Sequence, residues 1–145
     1  MHASREWQAF LAEVKDGMML ESSHMAYTAV DGVLQVFRRR LTAQEGLDFA
    51  SVLPCVPRAI FVHRWDVSGP VATFGDRASL VAEVRQVRSG HNLTPDNAID
   101  VTALAVWRFS NTQDLRGVLE RLPEGSKDFW HVEVADDAAL ERSIV

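Results

Sequence analysis

Residues 10–14, Phe-Leu-Ala-Glu-Val, return at 80–84 as Leu-Val-Ala-Glu-Val, an offset of 70. Leu53-Pro54 returns as Leu122-Pro123, an offset of 69. An apolar pair follows each Leu-Pro at the same distance, Ile60-Phe61 in one case and Phe129-Trp130 in the other. A near-constant offset across four landmarks marks a duplicated unit. Each unit would be about half of an ordinary domain and too small to bury its own apolar faces, so the two are expected to share one core.

The segments between these landmarks read as helices. Trp7, Phe10, Leu11, Val14 and Met18 stand at helical spacing, with Ser4 as N-cap and Gly17 near the end. Ser22 or Ser23 starts a second helix, whose inward stripe is Ala26, Tyr27, Val30, Val33, Leu34 and Phe37. Arg38-Arg39-Arg40 closes it, and three cations there offset the partial negative charge of a helix end. They are not read as a phosphate patch, because no aromatic or glycine-rich partner is near in sequence. Thr42 and Glu45 have the spacing of a capping box, opening a helix with Leu47, Ala50 and Leu53 inward. Pro57 suits the first turn of a fourth helix that buries Ile60, Phe61 and Trp65.

Asp66-Val67-Ser68-Gly69-Pro70 is the strongest turn signal and falls at the repeat boundary. Beyond it Asp76 caps a helix with Leu80, Val81, Val84 and Val87 that stops near Gly90, and Thr94-Pro95 starts the next. That helix aligns with its first-unit counterpart at an offset of 72, pairing Tyr27 with Ile99 and Phe37 with Phe109. A shortened third helix from Asn111 or Thr112 buries Leu115, Val118, Leu119 and Leu122, and a short segment from Ser126 to Val134 ends the unit. The expectation is an all-α fold of eight short helices, in two tandem four-helix units with pseudo-twofold symmetry and one shared core. Residues 1–145 make a single domain: unit one about 5–66, a linker 66–75, unit two about 76–134 and a loose tail 135–145.

Laid out this way, the chain resembles the bacterial domain-of-unknown-function family numbered 2267. The resemblance rests on Phe10 to Val14, Ala26-Tyr27 through Phe37-Arg38, Thr42 to Leu53-Pro54, Trp65-Asp66 with Ser68-Gly69, Leu80 to Val84 and Leu122-Pro123. It covers residues from about 5 to 134 and implies two tandem helical units. It implies no catalytic set.

Charge and composition narrow the function classes. A net charge of −5 argues against general affinity for nucleic acid or an anionic membrane, and no apolar run approaches the ~20 residues of a membrane span. The first residues carry no apolar stretch behind a basic start, and the single cysteine, Cys55, cannot form an internal disulfide, so a cytoplasmic protein is expected. Cys55, between Pro54 and Val56, reads as a small buried hydrophobe. None of the five histidines has the i, i+4 spacing of a helical zinc site, and no glycine-rich phosphate loop occurs. No Ser or Cys stands beside a base in a glycine-rich elbow, so no enzyme activity and no cofactor are expected.

Arg58, His63, Arg64, Trp65 and Asp66 form the densest cluster of interacting side-chain types, and Trp and Arg are the residues enriched at binding hot spots. Trp65 by itself reads first as a closure of the core at the repeat boundary. The cluster predicts a non-enzymatic module that binds a protein partner or forms a homo-oligomer. The competing expectation is a small-molecule or metal site between the units, built on His63 and Asp66 at i, i+3.

Overall fold

Helix start signals and apolar stripes translate directly into structure. The computed structural model describes residues 2–87 and 94–133, which form eight α-helices and, among the described residues, no strand. They are α1 (His2–Gly17), α2 (Ser23–Arg38), α3 (Ala43–Ala50), α4 (Cys55–Val62), α5 (Arg77–Gln86), α6 (Ala98–Phe109), α7 (Thr112–Arg121) and α8 (Ser126–Trp130). Side-chain caps satisfy otherwise unpaired N–H groups at four of these starts. Ser22 accepts from the Met25 N–H, Asp76 from Ser79 and Asn111 from Asp114, while Thr42 and Glu45 complete a capping box.

α2 and α6 bury the most residues and pack against each other. Around them α1 lies on α2 and α6, α5 on α2 and α6, α4 on α2, and α8 on α6, with α3 against α7. The buried apolar side chains form one continuous core. Its centre is aromatic: Phe37 meets Phe49 at 4.8 Å, Phe129 at 5.0 Å and Trp130 at 5.3 Å between ring centroids, joining three helices. Each such pair contributes about 0.5–1.5 kcal/mol beyond area burial.

Several sequence expectations give way to tertiary contacts. Leu47 is 58% exposed, because Phe49, fully buried, sets the phase of the two-turn α3 and turns Leu47 outward. Tyr27 lies at the edge of its stripe, a third exposed, with its ring against Trp7. Cys55 is exposed at the first residue of α4, whose inward face is Pro57, Ile60 and Phe61. α1 starts at His2, so Ser4 is inside it. α6 begins at Ala98, not at Thr94-Pro95: Arg85 draws the Thr94 carbonyl and the Asp96 carboxylate outside the helix. α7 is longer than α3, not shortened. Trp65 lies beyond α4, which ends at Val62. Gly90 and the tail from 135 lie outside the described residues.

Candidate functional site

The turn after α4 is built by an arginine from another helix. Arg38, in the last turn of α2, donates through Nη1 to the carbonyls of Phe61 and His63, each at 2.9 Å. Those carbonyls lie at the C-terminal end of α4, where the helix leaves acceptors unpaired. The chain then reverses through Arg64, a non-glycine residue at φ 51, which places Trp65 beside Gly46 of α3. The Trp65 indole stands 5.5 Å from the Phe61 ring and 5.8 Å from the Arg38 guanidinium. A side chain at position 46 would collide with the indole, so the glycine makes the seat.

The residues that follow are pinned rather than loose. Asp66 Oδ1 accepts from the Ser68 N–H at 3.0 Å and from the Ser68 hydroxyl at 2.6 Å. The hydroxyl bond, and after it the backbone bond, holds the Asp66 carboxyl below its ordinary value. The Ala72 N–H donates to the Arg39 carbonyl, and Arg40 Nε donates to that of Thr73.

Between the end of α2 and residues 64–71 lies a cleft of about 260 Å³. Arg38, Arg39 and Arg64 supply its cations, Trp65, Val67 and Val71 its apolar surface. Val67 and Val71 are half exposed. Burial lowers the Arg38 pKa, Asp31 opposes that shift and Arg39 adds to it; a guanidinium stays charged regardless. Arg39 bonds Glu83 at 2.8 Å yet keeps 44% of its side chain in solvent. Arg64 is exposed and makes no hydrogen bond or ion pair among the described residues.

Of the five residues the sequence singles out, the fold brings Arg64, Trp65 and Asp66 to this cleft. Arg58 is employed elsewhere, donating to the Ala50 and Leu53 carbonyls and so closing the C-terminus of α3. His63 is exposed outside the lining. Asp66 is engaged by Ser68, and among the described residues no group of three or more His, Cys, Asp or Glu is gathered to hold a metal. Sequence reasoning missed Arg38 and Arg39, because Trp65, which packs on Arg38 and lines the same cleft, is far along the chain and reaches it only through the turn at Arg64. Chemically the cleft offers guanidinium donors over an aromatic and aliphatic wall. It suits a carboxylate or other anionic group that carries apolar surface beside it.

Arg40, absent from the cleft, belongs to a second charged assembly. Its side chain is 6% exposed and grips both Glu83 oxygens, at 2.7 and 2.6 Å, while donating to the Val36 carbonyl. Arg40 bonding, followed in size by an opposing burial effect, holds the Glu83 carboxyl below its ordinary value. On α1, Glu13 forms the analogous ion pair with Arg108 of α6.

Among known proteins, the family model described as an uncharacterized conserved protein (DUF2267) matches residues 7–129. No curated protein matches the chain. No described helix is long and apolar enough to cross a membrane.

Proposed function

We propose that this chain, which belongs to the uncharacterized conserved protein family DUF2267, is a non-enzymatic cytosolic binding module whose Arg64 cleft takes an acidic segment of a protein. The observation that carries the reading is Arg64 itself. A cation with no hydrogen bond or ion pair among the described residues, held in a left-handed turn that costs about 1–2 kcal/mol, stands beside two further arginines and a partly exposed indole. Aromatic and Arg anchors of this kind dominate binding energy at protein interfaces.

The scaffold is read as a duplicated, single-domain unit pair. What supports this is a set of contacts that exchange under the offset. α1 packs on α6 as α5 packs on α2, and α4 on α2 as α8 on α6. Glu13 pairs with Arg108, while its repeat counterpart Glu83 pairs with Arg39, the counterpart of Arg108 at an offset of 69. Arg38 donates to the Phe61 carbonyl as Trp107, its counterpart at the same offset, donates to that of Trp130. These contacts favour 69, not 72, as the offset between α2 and α6.

The test is a fluorescein-labelled peptide rich in Asp and Glu with one Phe, followed by anisotropy. Saturable binding is expected, weakened about 5–10-fold by Arg64→Ala, as for one charge-assisted contact of about 1–1.4 kcal/mol at a partly exposed site. Raising the salt should weaken it further. Binding that is absent, or indifferent to Arg64→Ala, refutes the reading.

A further inference from the structure

The face of α6 that corresponds to the Arg64 cleft carries the opposite charge. A second cleft, of about 450 Å³, lies between α6 and residues 131–133 beyond α8. Val101, Leu104 and Val132 give it an apolar wall, Asp100 and Glu133 supply its acids, and Arg77 and His131 also line it. The repeat offset of 69 takes Arg64 to Glu133 and Gln35 to Leu104. One cleft thus holds an arginine, unpaired among the described residues, where the other holds an acid.

The acidic groups are available. Glu133 is 96% exposed, with the His131 ring at 3.2 Å as its partner among the described residues, and Asp100 is 68% exposed with Arg77 at 3.6 Å. Arg77 is itself drawn away, donating to the carbonyls of Phe129 and Asp128. Apolar surface also matches: Trp65, Val67 and Val71 flank the cations, and Val101, Leu104 and Val132 flank the acids.

Resting on the reading that the Arg64 cleft takes an acidic protein segment, we infer that the partner is a second copy of this chain, seated head to tail. The Glu133 and Asp100 rim of one copy enters the Arg38, Arg39 and Arg64 cleft of the next. Charge complementarity selects this pairing over a like-with-like contact, which would set arginines against arginines or acids against acids. Because the two surfaces differ, each copy keeps one of each to offer.

Mixing two variants tests the arrangement. Light scattering after gel filtration should give the wild type a weight-average mass that rises above 16.2 kDa with concentration. Arg64→Glu and Glu133→Arg change exposed side chains, so both should keep the wild-type circular dichroism and urea midpoint while remaining monomeric. A one-to-one mixture then has one intact cleft of each kind, and its two reversed surfaces are also opposite in charge, so association above the monomer mass should return. A monomeric wild type at the highest concentration reached, single variants that associate like the wild type, or a mixture that stays monomeric would each overturn the inference. The peptide assay on the same Arg64→Glu protein separates the two claims. Peptide binding lost in that variant, with a monomeric wild type, keeps the acidic-segment cleft and rejects the second copy; peptide binding retained rejects the cleft itself.

Discussion

Removing Glu83 should damage the protein far more than removing Glu13, although both acids close the same kind of contact. Arg40 is nearly sealed from water, and Glu83 supplies both oxygens that neutralise it. With Glu83→Ala, the guanidinium keeps, among the described residues, the Val36 and Thr73 carbonyls and the Phe74 ring, and its Nη2 loses the Glu83 oxygen. Stripping one member from a buried pair costs about 3–5 kcal/mol. Glu83 is 29% exposed, so water reaches the gap and the lower end, about 3 kcal/mol, is expected. Glu13 faces Arg108, whose side chain is 39% exposed, and that pair is worth at most about 1 kcal/mol. Against a total stability of about 5–15 kcal/mol, the first loss is severe and the second marginal. Urea unfolding followed by far-ultraviolet circular dichroism reads the difference as a fall in midpoint at constant slope. In an Arg40→Met background, Glu83→Ala should cost less than half as much, since no buried charge is left stranded. Equal midpoints for Glu13→Ala and Glu83→Ala, or an unchanged cost in the Arg40→Met background, would refute the account.

Further outcomes follow from the same geometry. Glu83 has a folded pKa below its ordinary 4.5, so the stability it contributes is complete above that value and is lost as pH falls through the lower folded value. Acid unfolding curves of the wild type and Glu83→Ala should therefore converge below pH 4.5, and curves that stay parallel would contradict this. Gly125 has φ 101, and a Cβ there would sit 2.6 Å from the Phe74 ring, so Gly125→Ala should cost about 2–3 kcal/mol in urea unfolding. Gly46→Ala should unseat Trp65, lowering stability by about 1–3 kcal/mol. It should also weaken the acidic peptide; a variant that binds the peptide like the wild type would show that the indole takes no part.

Local signals made the helices legible, and tertiary ones hid the rest. Ser22, Thr42 with Glu45, Asp76 and Asn111 announce their helices because a cap is decided within a single turn. Thr94-Pro95 carries the same signature, yet Arg85, from the preceding helix, takes the Thr94 carbonyl. Spacing from Leu53 put Leu47 inward, but in a helix of two turns a single large residue decides the phase, and that residue is Phe49. The site was half visible for a similar reason. Arg64, Trp65 and Asp66 are neighbours in sequence and remain neighbours in the cleft. Arg38 and Arg39 look like ordinary helix-end cations until the reversal at Arg64 brings the indole to Arg38 and closes the cleft beside both.

The Ala-Glu-Val segments that first mark the repeat acquire a physical reason on the duplicated reading. Their glutamates reach out of one half to an arginine at the end of the other half's long helix, Glu13 to Arg108 and Glu83 to Arg39. A change to either acid would loosen the joint between halves, not the half that carries it. The halves then differ one position further along. Arg40 stands where the second half, at the offset of 69, has Phe109, which is buried against the Phe10 ring at 5.7 Å. One side of the joint is closed by an aromatic pair, which titrates at no pH, and the other by a buried ion cluster, which loses its acid as Glu83 is protonated. Protonation of Glu83 therefore acts on the side where residues 71–73 run from the Arg64 cleft to Arg40. Acid that opens the Glu83 contact should loosen that cleft before the Asp100 and Glu133 face, and hydrogen exchange at Ala72 against that at Val132 would show the order.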